Sequence, residues 1–341
     1  MTLNVNDLQT PALILDSGAL EANLATMAAL LPGERCRPHV KAHKTTSLAR
    51  RQSAHGHLGF TCATPLEVIG MANAGLGHDL LLANESVDPV RLAAMAQLVE
   101  QEKARITIAV DSIETVNAAA DAGLREALVD VEVGLPRCGV PPEGAGAVAD
   151  AARSRGLSVR GVMGYEGHVV GLASHEERLR LTEEAMALLL KAHGDVGGEI
   201  VSAGGTGTYA INTWANEIQA GSYALMDTAY SALGLPFAQA LKVIATVVSV
   251  SPKGWAVCDV GLKSLGMDHG NPTVEGADVF FCSDEHTTIL PHEGSPLKVG
   301  DRVTVTPAHI DPTVAYHDKM HLIEAGGDSI IETWAVDLRG W

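Results

Sequence analysis

Eight short apolar or β-branched runs, each followed by a helix-like stretch, leave this chain few folds to adopt. They fall at residues 37–41, 59–63, 79–83, 106–111, 129–134, 159–165, 200–203 and 218–225. The stretches between them are rich in Ala, Leu and Glu at helical spacing, as at 65–74, 89–102, 113–122, 144–154 and 176–191. Strands alternating with helices predict a parallel sheet, and eight such repeats predict an α/β chain built as a (β/α)8 TIM barrel. A doubly wound sheet would carry a G-x-G-x-x-G turn after its first strand, and none is present there. Beyond Lys242 the texture changes. Strand-like runs at 243–250, 255–259, 279–282, 302–306, 320–324 and 329–336 follow one another through Gly, Pro and Asp turns with little helix. This predicts a C-terminal all-β domain. The run at 11–16 suits either part. The expected division is a barrel over 17–240 and a β domain made of 1–16 and 241–341.

Bulk composition narrows the function. Hydrophobic residues are 46% and charged residues 19%, which describes a compact globular protein and not a disordered one. The formal net charge of -17 gives no general attraction to nucleic acid or anionic lipid. Aromatics at 4% argue against a stacking platform for single strands. No apolar run is long enough to span a membrane. Residues 1–9 are polar and lack the apolar run of a signal peptide. Cys36, Cys62, Cys138, Cys258 and Cys282 form no C-x-x-C pair, so free and mostly buried thiols in a reducing cytoplasm are expected.

Against this acidic background stands Arg37-Pro38-His39-Val40-Lys41-Ala42-His43-Lys44. If the segment is a strand, Arg37, His39, Lys41 and His43 share one face. A lysine crowded by cations has a lowered pKa, which suits a Schiff-base lysine. A solvated basic turn is the plainer reading. In barrels the chemistry sits at the C-terminal ends of strands, with phosphates near the loops after strands seven and eight. Those positions carry Ser202-Ala203-Gly204-Gly205-Thr206-Gly207-Thr208 and Gln219-Ala220-Gly221-Ser222-Tyr223. Glycine-rich backbone with Ser and Thr hydroxyls can cradle a phosphate, so a phosphate-bearing ligand is expected. Arg137, after strand five, can hold a phenolate or carboxylate, or be a surface arginine. Tyr165 and His168, after strand six, can contact a cofactor ring or exchange protons, or be structural. His309 and Asp311, two apart in extended chain, offer an open imidazole–carboxylate pair for a divalent ion, although H-x-D alone is unspecific. His317 and His321 would pair only on a helix, and hydrogen-bonded or exposed roles suit them better.

Together these segments resemble the D-threonine aldolase and D-serine dehydratase family of alanine-racemase-like, fold type III pyridoxal phosphate enzymes. The likeness runs from Thr10-Pro11-Ala12-Leu13-Ile14-Leu15-Asp16, through the R-P-H-x-K segment, to Pro307-Ala308-His309-Ile310-Asp311-Pro312-Thr313-Val314. Cys258-Asp259-Val260-Gly261-Leu262-Lys263 and Ser283-Asp284-Glu285-His286 are also similar to family segments. Ala42 stands where family members commonly carry Thr. The resemblance implies a cofactor-binding barrel, a β domain and a homodimer. It implies that Lys41 forms the Schiff base with pyridoxal 5'-phosphate, in a cofactor site that includes His39. Arg137 would face the phenolic oxygen and Tyr165 the pyridine nitrogen. Gly204, Gly205, Thr206, Gly221, Ser222 and Tyr223 would hold the phosphate, and His309 and Asp311 a divalent metal. Dehydratase members resemble H-x-C, whose soft thiolate suits Zn2+; aldolase members resemble H-x-D, whose hard oxygen suits Mn2+ or Mg2+. This chain has the second form.

The expected activity is therefore metal-dependent cleavage of a small β-hydroxy-D-amino acid to glycine and an aldehyde. Lys41 and His168 are the expected catalytic residues, His168 or a metal-bound water taking the hydroxyl proton. The alternative is a D-serine or D-3-hydroxyaspartate type dehydratase, releasing ammonia and a 2-oxo acid.

Overall fold

The computed structural model describes residues 3–341. Its first strand, β1 (Ala12–Asp16), runs antiparallel to the strand beginning at Leu241 and parallel to the one beginning at Lys319, so it belongs to the β unit. The parallel sheet follows as β2 (Gly59–Cys62), β3 (Asp79–Leu82), β4 (Ile106–Val110), β5 (Glu126–Asp130), β6 (Ser158–Met163), β7 (Ile200–Ala203) and β8 (Glu217–Ile218), seven strands in sequence order. The sheet is closed by the 36–39 segment. Cys36 bridges Ile218 and His39 bridges Thr61, both in parallel sense. The Arg37 and His39 amides donate to the Ile218 and Ala220 carbonyls, and the Thr61 amide to the Pro38 carbonyl. The eight-fold alternation thus forms a (β/α)8 barrel, although the segment at 36–39 makes bridges and not a full strand.

Three expected strands are corrected. The first ends early, because Val40–Ala42 is a 3-10 turn that contains Lys41. The fifth lies at Glu126–Asp130, upstream of the 129–134 window, because Gly134 adopts φ 117 and the chain there turns away. The eighth is only Glu217–Ile218, and Ser222–Ala224 coils into a second 3-10 turn. The intervening helices, at Pro65–Asn73, Pro89–Glu100, Ile113–Ala122, Ala145–Ser154 and His175–Val196, stand where their spacing placed them. Several begin on side-chain caps that satisfy the first amides, such as Thr64 to Glu67 and Asp88 to Val90.

Strand alternation layers the barrel interior. On one face of each strand lie Asp79 and Leu81, Thr107 and Ala109, and Glu126, Leu128 and Asp130. The lower layer is ionic. Arg37 pairs with Asp79 and Glu217, each at 2.7 Å. Arg160 reaches Asp79 and Thr107 at 2.9 Å. Burial alone would lower the Arg37 pKa, but Glu217 and Asp79 raise it above its ordinary value. Above this layer Leu81, Ala109, Leu128, Met163 and Ile200 pack as one apolar cluster. Arg37 is therefore spent at the bottom of the barrel. The shared face expected for Arg37, His39, Lys41 and His43 does not form, because the 3-10 turn breaks the alternation after His39.

The β unit adds β9 (Leu241–Val250), β10 (Ala256–Cys258), β11 (Thr273–Val274), β12 (Ala277–Cys282), β13 (Thr287–Pro291), β14 (Arg302–Thr306), β15 (Lys319–Ile323) and β16 (Ile330–Ala335). Their order is β10-β13-β12-β11-β14-β9-β1-β15-β16, and β10 also pairs with β9. That extra pairing closes six strands into an antiparallel barrel and removes two edges. Val5, Leu8, Ala12, Ile14, Ile244 and Ile323 form a core cluster beneath β1. By Cα proximity one compact unit comprises Met1–Thr26, Ala42–Ser47 and Ser222–Asp337, and the other Met27–Lys41, Leu48–Gly221 and Leu338–Trp341. None of the five cysteines forms a disulfide, and three of them are buried. Among the described residues, no helix is long and apolar enough to cross a membrane.

Removing the Arg37 guanidinium while keeping its bulk leaves Glu217 buried without a cation. Arg37→Met is expected to cost about 3–5 kcal/mol in denaturant unfolding. A loss below about 1 kcal/mol would mean that the pairing does not hold the closing strand.

Candidate active site

The barrel carries most of the expected residues at one end. Lys41, half-buried, lies in the turn that follows the closing strand, so it emerges at the C-terminal end of the sheet. His39, two residues before it, stays on the strand. Tyr165 follows β6, and the Arg137 guanidinium carbon lies 5.5 Å from its ring centre. A Cβ built on Gly205, after β7, would touch the same ring edge at 3.5 Å. Arg137, Tyr165 and the glycine loop thus meet from three different strand ends. His168 is exposed, and its ring lies over Gly134, whose absent Cβ leaves the space.

The glycine loop is shaped by an acid that the sequence reading passed over. Glu166 is fully buried and accepts from the Gly204 amide (3.0 Å), the Thr208 hydroxyl (2.9 Å) and the Asn212 amide group (3.0 Å). The Gly205 amide donates to Thr208 Oγ1 at 3.2 Å. The Gly204 and Gly205 amides are therefore committed within the protein and do not point outward as phosphate donors. Their contribution is shape: Gly204 adopts φ 79, which a side chain disfavours. The signal for Glu166 was present, since it sits between Tyr165 and Gly167 in a segment already singled out, but sequence could not show its burial. Thr206 is buried beside these glycines, and Gly221 ends the same unit. Ser222 and Tyr223 lie in the 3-10 turn that opens the long piece of the β unit. Tyr223 is a core side chain, its ring tilted on Phe237 at 5.6 Å.

Acids also gather at the barrel mouth. Asp130 ends β5 on the interior face and is 5% exposed. Burial pushes its carboxyl well above the usual carboxylate range, the Glu85 charge pushes the same way, and Arg137 opposes both. The Asp130 carboxyl meets the Glu85 carboxylate through a side-chain hydrogen bond, and two adjacent acceptors are relieved when Asp130 carries the proton. The Cys138 thiol nearby is pushed up to about 12 by burial and by Glu85, so it is protonated at neutral pH and is no nucleophile.

The β unit holds the expected metal pair in a different local geometry. His309 is the N-cap of a helix over Ile310–Tyr316, so Asp311 lies in its first turn and the extended-chain alternation does not apply. Asp227, fully buried, accepts from the Ile310 amide at 3.1 Å and fixes the backbone between the two residues. Burial raises its carboxyl above the ordinary value, against the lowering effect of the amides it accepts from. Asp268, unremarked in sequence, lies 2.8 Å from His309 Nδ1. Burial raises the Asp268 carboxyl, but the His309 hydrogen bond outweighs it, and the net position is below the usual range. His317 ends the helix and meets the Ser264 carbonyl at 3.0 Å, whereas His321 is on β15 and meets Thr333 at 2.9 Å. They do not form an i, i+4 pair, and both make hydrogen bonds.

The residues suit the groups the chain was expected to hold. A lysine, an arginine and a tyrosine beside a glycine loop match an anionic aromatic ring that bears a phosphate. His309, with Asp268 at its Nδ1 and Asp311 in the first turn of the helix it caps, offers an imidazole and a hard oxygen for a divalent ion of hard or borderline character.

The family model for the alanine racemase N-terminal domain matches residues 15–229, and that for a putative serine dehydratase domain matches 240–323. The chain is 33% identical to a 3-hydroxy-D-aspartate aldolase of Paracoccus denitrificans (strain Pd 1222), over 99% of this chain and 94% of the relative. A D-threo-3-hydroxyaspartate dehydratase of Delftia sp. (strain HT23) is 26% identical over 98% of each chain. The crystal structure of a D-threonine aldolase from Filomicrobium marinum superposes with a TM-score of 0.93 at 33% identity, covering 100% of this chain and 98% of that one.

The Asp130 carboxyl gives a signed pH dependence. Unfolded, it ionises near pH 4, about 3.9; folded, it holds its proton to higher pH. Its contribution to stability is present below the unfolded pKa and is lost as pH rises through the folded one. Asp130→Asn removes that loss. Denaturation midpoints of the variant relative to the wild type are expected to rise between pH 5 and pH 8. Parallel profiles would contradict the assignment.

Proposed function

This chain belongs to the alanine-racemase-like family of pyridoxal phosphate enzymes, in its D-threonine aldolase and D-serine dehydratase branch, and on that premise we propose that it is a lyase cleaving β-hydroxy-D-amino acids to glycine and an aldehyde. The observation that carries the aldolase reading is the metal-ligand pair itself. His309 and Asp311 combine an imidazole with a hard oxygen donor, and the Asp268 carboxylate stands behind the imidazole at Nδ1. That set suits Mn2+ or Mg2+ better than a thiolate-bearing set would, with Zn2+ also accommodated. A racemase has no use for such a pair.

When bound, pyridoxal phosphate supplies an electron sink for the negative charge left at Cα, and the divalent ion acidifies the β-hydroxyl. Lys41 would hold the cofactor covalently and yield that place to the substrate amine. His39 would line the cofactor site, and Arg137 and Tyr165, 5.5 Å apart, would hold its ring on the phenolic oxygen and nitrogen sides. Gly204 and Gly205 set the shape of the phosphate loop, with Thr206, Gly221, Ser222 and Tyr223 as its further contributors. Glu166 keeps that loop in place without touching the ligand. His309 and Asp311 hold the ion. His168, an exposed imidazole, takes the proton from the β-hydroxyl as the Cα–Cβ bond breaks. In the dehydratase alternative Lys41 removes the Cα proton instead. Homodimerisation has support in the exposed Val248, Val250, Phe280, Phe281 and Leu290 of the β unit. Five cysteines without a disulfide fit a reducing cytoplasm.

The test is a product assay on the chelator-treated holoprotein with D-threonine and with D-3-hydroxyaspartate, with and without Mn2+. Metal-dependent glycine and aldehyde are expected in equal amounts. Asp311→Ala is expected to lower kcat by about 100-fold or more, since several kcal/mol of charge stabilisation go with the ion. Ammonia with a 2-oxo acid would overturn the aldolase reading in favour of the dehydratase.

A further inference from the structure

The loop at 264–270 is strapped to the helix that carries His309. Gly266 and His309 form an antiparallel bridge. The Gly266 amide donates to Thr313 Oγ1 at 2.8 Å, and that hydroxyl donates to the His309 carbonyl at 2.6 Å. The Ser264 carbonyl meets His317 Nε2 at 3.0 Å. A Cβ on Gly266 would fall on the Pro312 ring and 2.7 Å from the His309 carbonyl, so only glycine lets the loop lie this close.

The tip of the strap delivers two side chains to the His309 ring. The Asp268 carboxylate oxygens lie 2.8 and 2.9 Å from Nδ1. The His269 ring stacks on the His309 ring at 3.9 Å between centroids and 10° between planes. The ligand atoms of all three residues fall within 4.8 Å of one another, which by itself resembles a three-ligand metal site. The stacking argues otherwise. An imidazole lone pair lies in the ring plane, so two nearly parallel rings aim along parallel planes and do not converge on one ion. An ionised carboxylate only accepts, so Nδ1 is the donor in the Asp268 contact. The lone pair of His309 is then on Nε2.

We propose that Asp268 is a positioning residue for the metal: it holds His309 as the Nδ1–H tautomer and so presents Nε2 to a divalent ion. The inference rests on the metal reading above and extends it to a residue outside the H-x-D pair. A carboxylate behind a ligating imidazole fixes the ring orientation and raises its basicity, and its loss costs about 10–100-fold in metal affinity. His269, stacked on the opposite side of that function, limits rotation of the ring. Asp268 is itself largely exposed, with 58% of its side-chain surface accessible, so its replacement leaves the fold intact.

The experiment is a Mn2+ titration of the metal-stripped, cofactor-loaded protein, with free Mn2+ read by electron paramagnetic resonance. The wild type is compared with Asp268→Ala, Asp268→Asn and His309→Ala. Asp268→Ala is expected to weaken Mn2+ binding by about 10–100-fold. Asp268→Asn, which keeps an acceptor oxygen, should weaken it less, and His309→Ala should weaken it most. In 15N-histidine spectra of the metal-free protein, His309 is expected as the Nδ1–H tautomer in the wild type and as a mixture in Asp268→Ala. Wild-type affinity in Asp268→Ala, with His309→Ala impaired, would overturn the proposal alone. A loss equal to that of His309→Ala would make Asp268 a direct ligand and overturn it likewise. Absence of Mn2+ binding to the wild type, or unimpaired binding to His309→Ala, would overturn the metal reading and the proposal with it.

Discussion

The closing strand of the barrel depends on the pairing of Arg37 with Asp79 and Glu217. This strand is short, joined to its neighbours by single bridges at Cys36 and His39. Few backbone bonds hold it, so the buried ion pairs beneath supply much of its registration. Asp79 stands on β3 and Glu217 on β8, and the strand lies between β2 and β8. One guanidinium therefore ties the segment to both sides of the opening it fills. Registration at the bottom fixes where the chain leaves at the top, four residues on, and the residue that leaves is Lys41. A basic cluster in the sequence is thus divided by the fold into a buried anchor, Arg37, and a lysine at the barrel end, the amine proposed above to bind the cofactor.

Carboxylates do the complementary work, and their environments separate their roles. Glu166 is buried and accepts three hydrogen bonds, and through them it organises the glycine loop. Asp130 is buried beside another acid, Glu85, and it is kept protonated to higher pH. Asp227 is buried against the backbone at His309 and sets the helix start that separates His309 from Asp311. Asp268 is exposed and meets the imidazole itself. Four acids, read identically in sequence, therefore act as loop anchor, proton holder, backbone clamp and ring clamp.

The barrel was legible because strand–helix alternation is a periodic signal that many residues share. The identity of the barrel-mouth residues was legible too, since strand order predicts which loops share an end. What failed was local. Lys41 was placed on a strand because R-P-H-V-K alternates, yet Val40–Ala42 coils once the backbone bonds of the closing strand run out. His309 and Asp311 were read as extended because their two-residue spacing shares a face in a strand, but Ile310–Tyr316 is a helix whose first turn tolerates Pro312. The strand Thr273–Val274 carried too few residues for a period to show. Glu166 and Asp268 owe their roles to contacts made by distant segments, which no spacing rule encodes.

The most direct test of this account is the site of cofactor attachment. Borohydride reduction of the holoprotein, followed by proteolysis and mass mapping, would locate the linked pyridoxyl group. The account predicts a single modified lysine, Lys41, in the peptide that carries Arg37 and His39. Modification at another lysine, such as Lys44 or Lys242, would contradict the division of the basic segment into a buried anchor and a reactive amine.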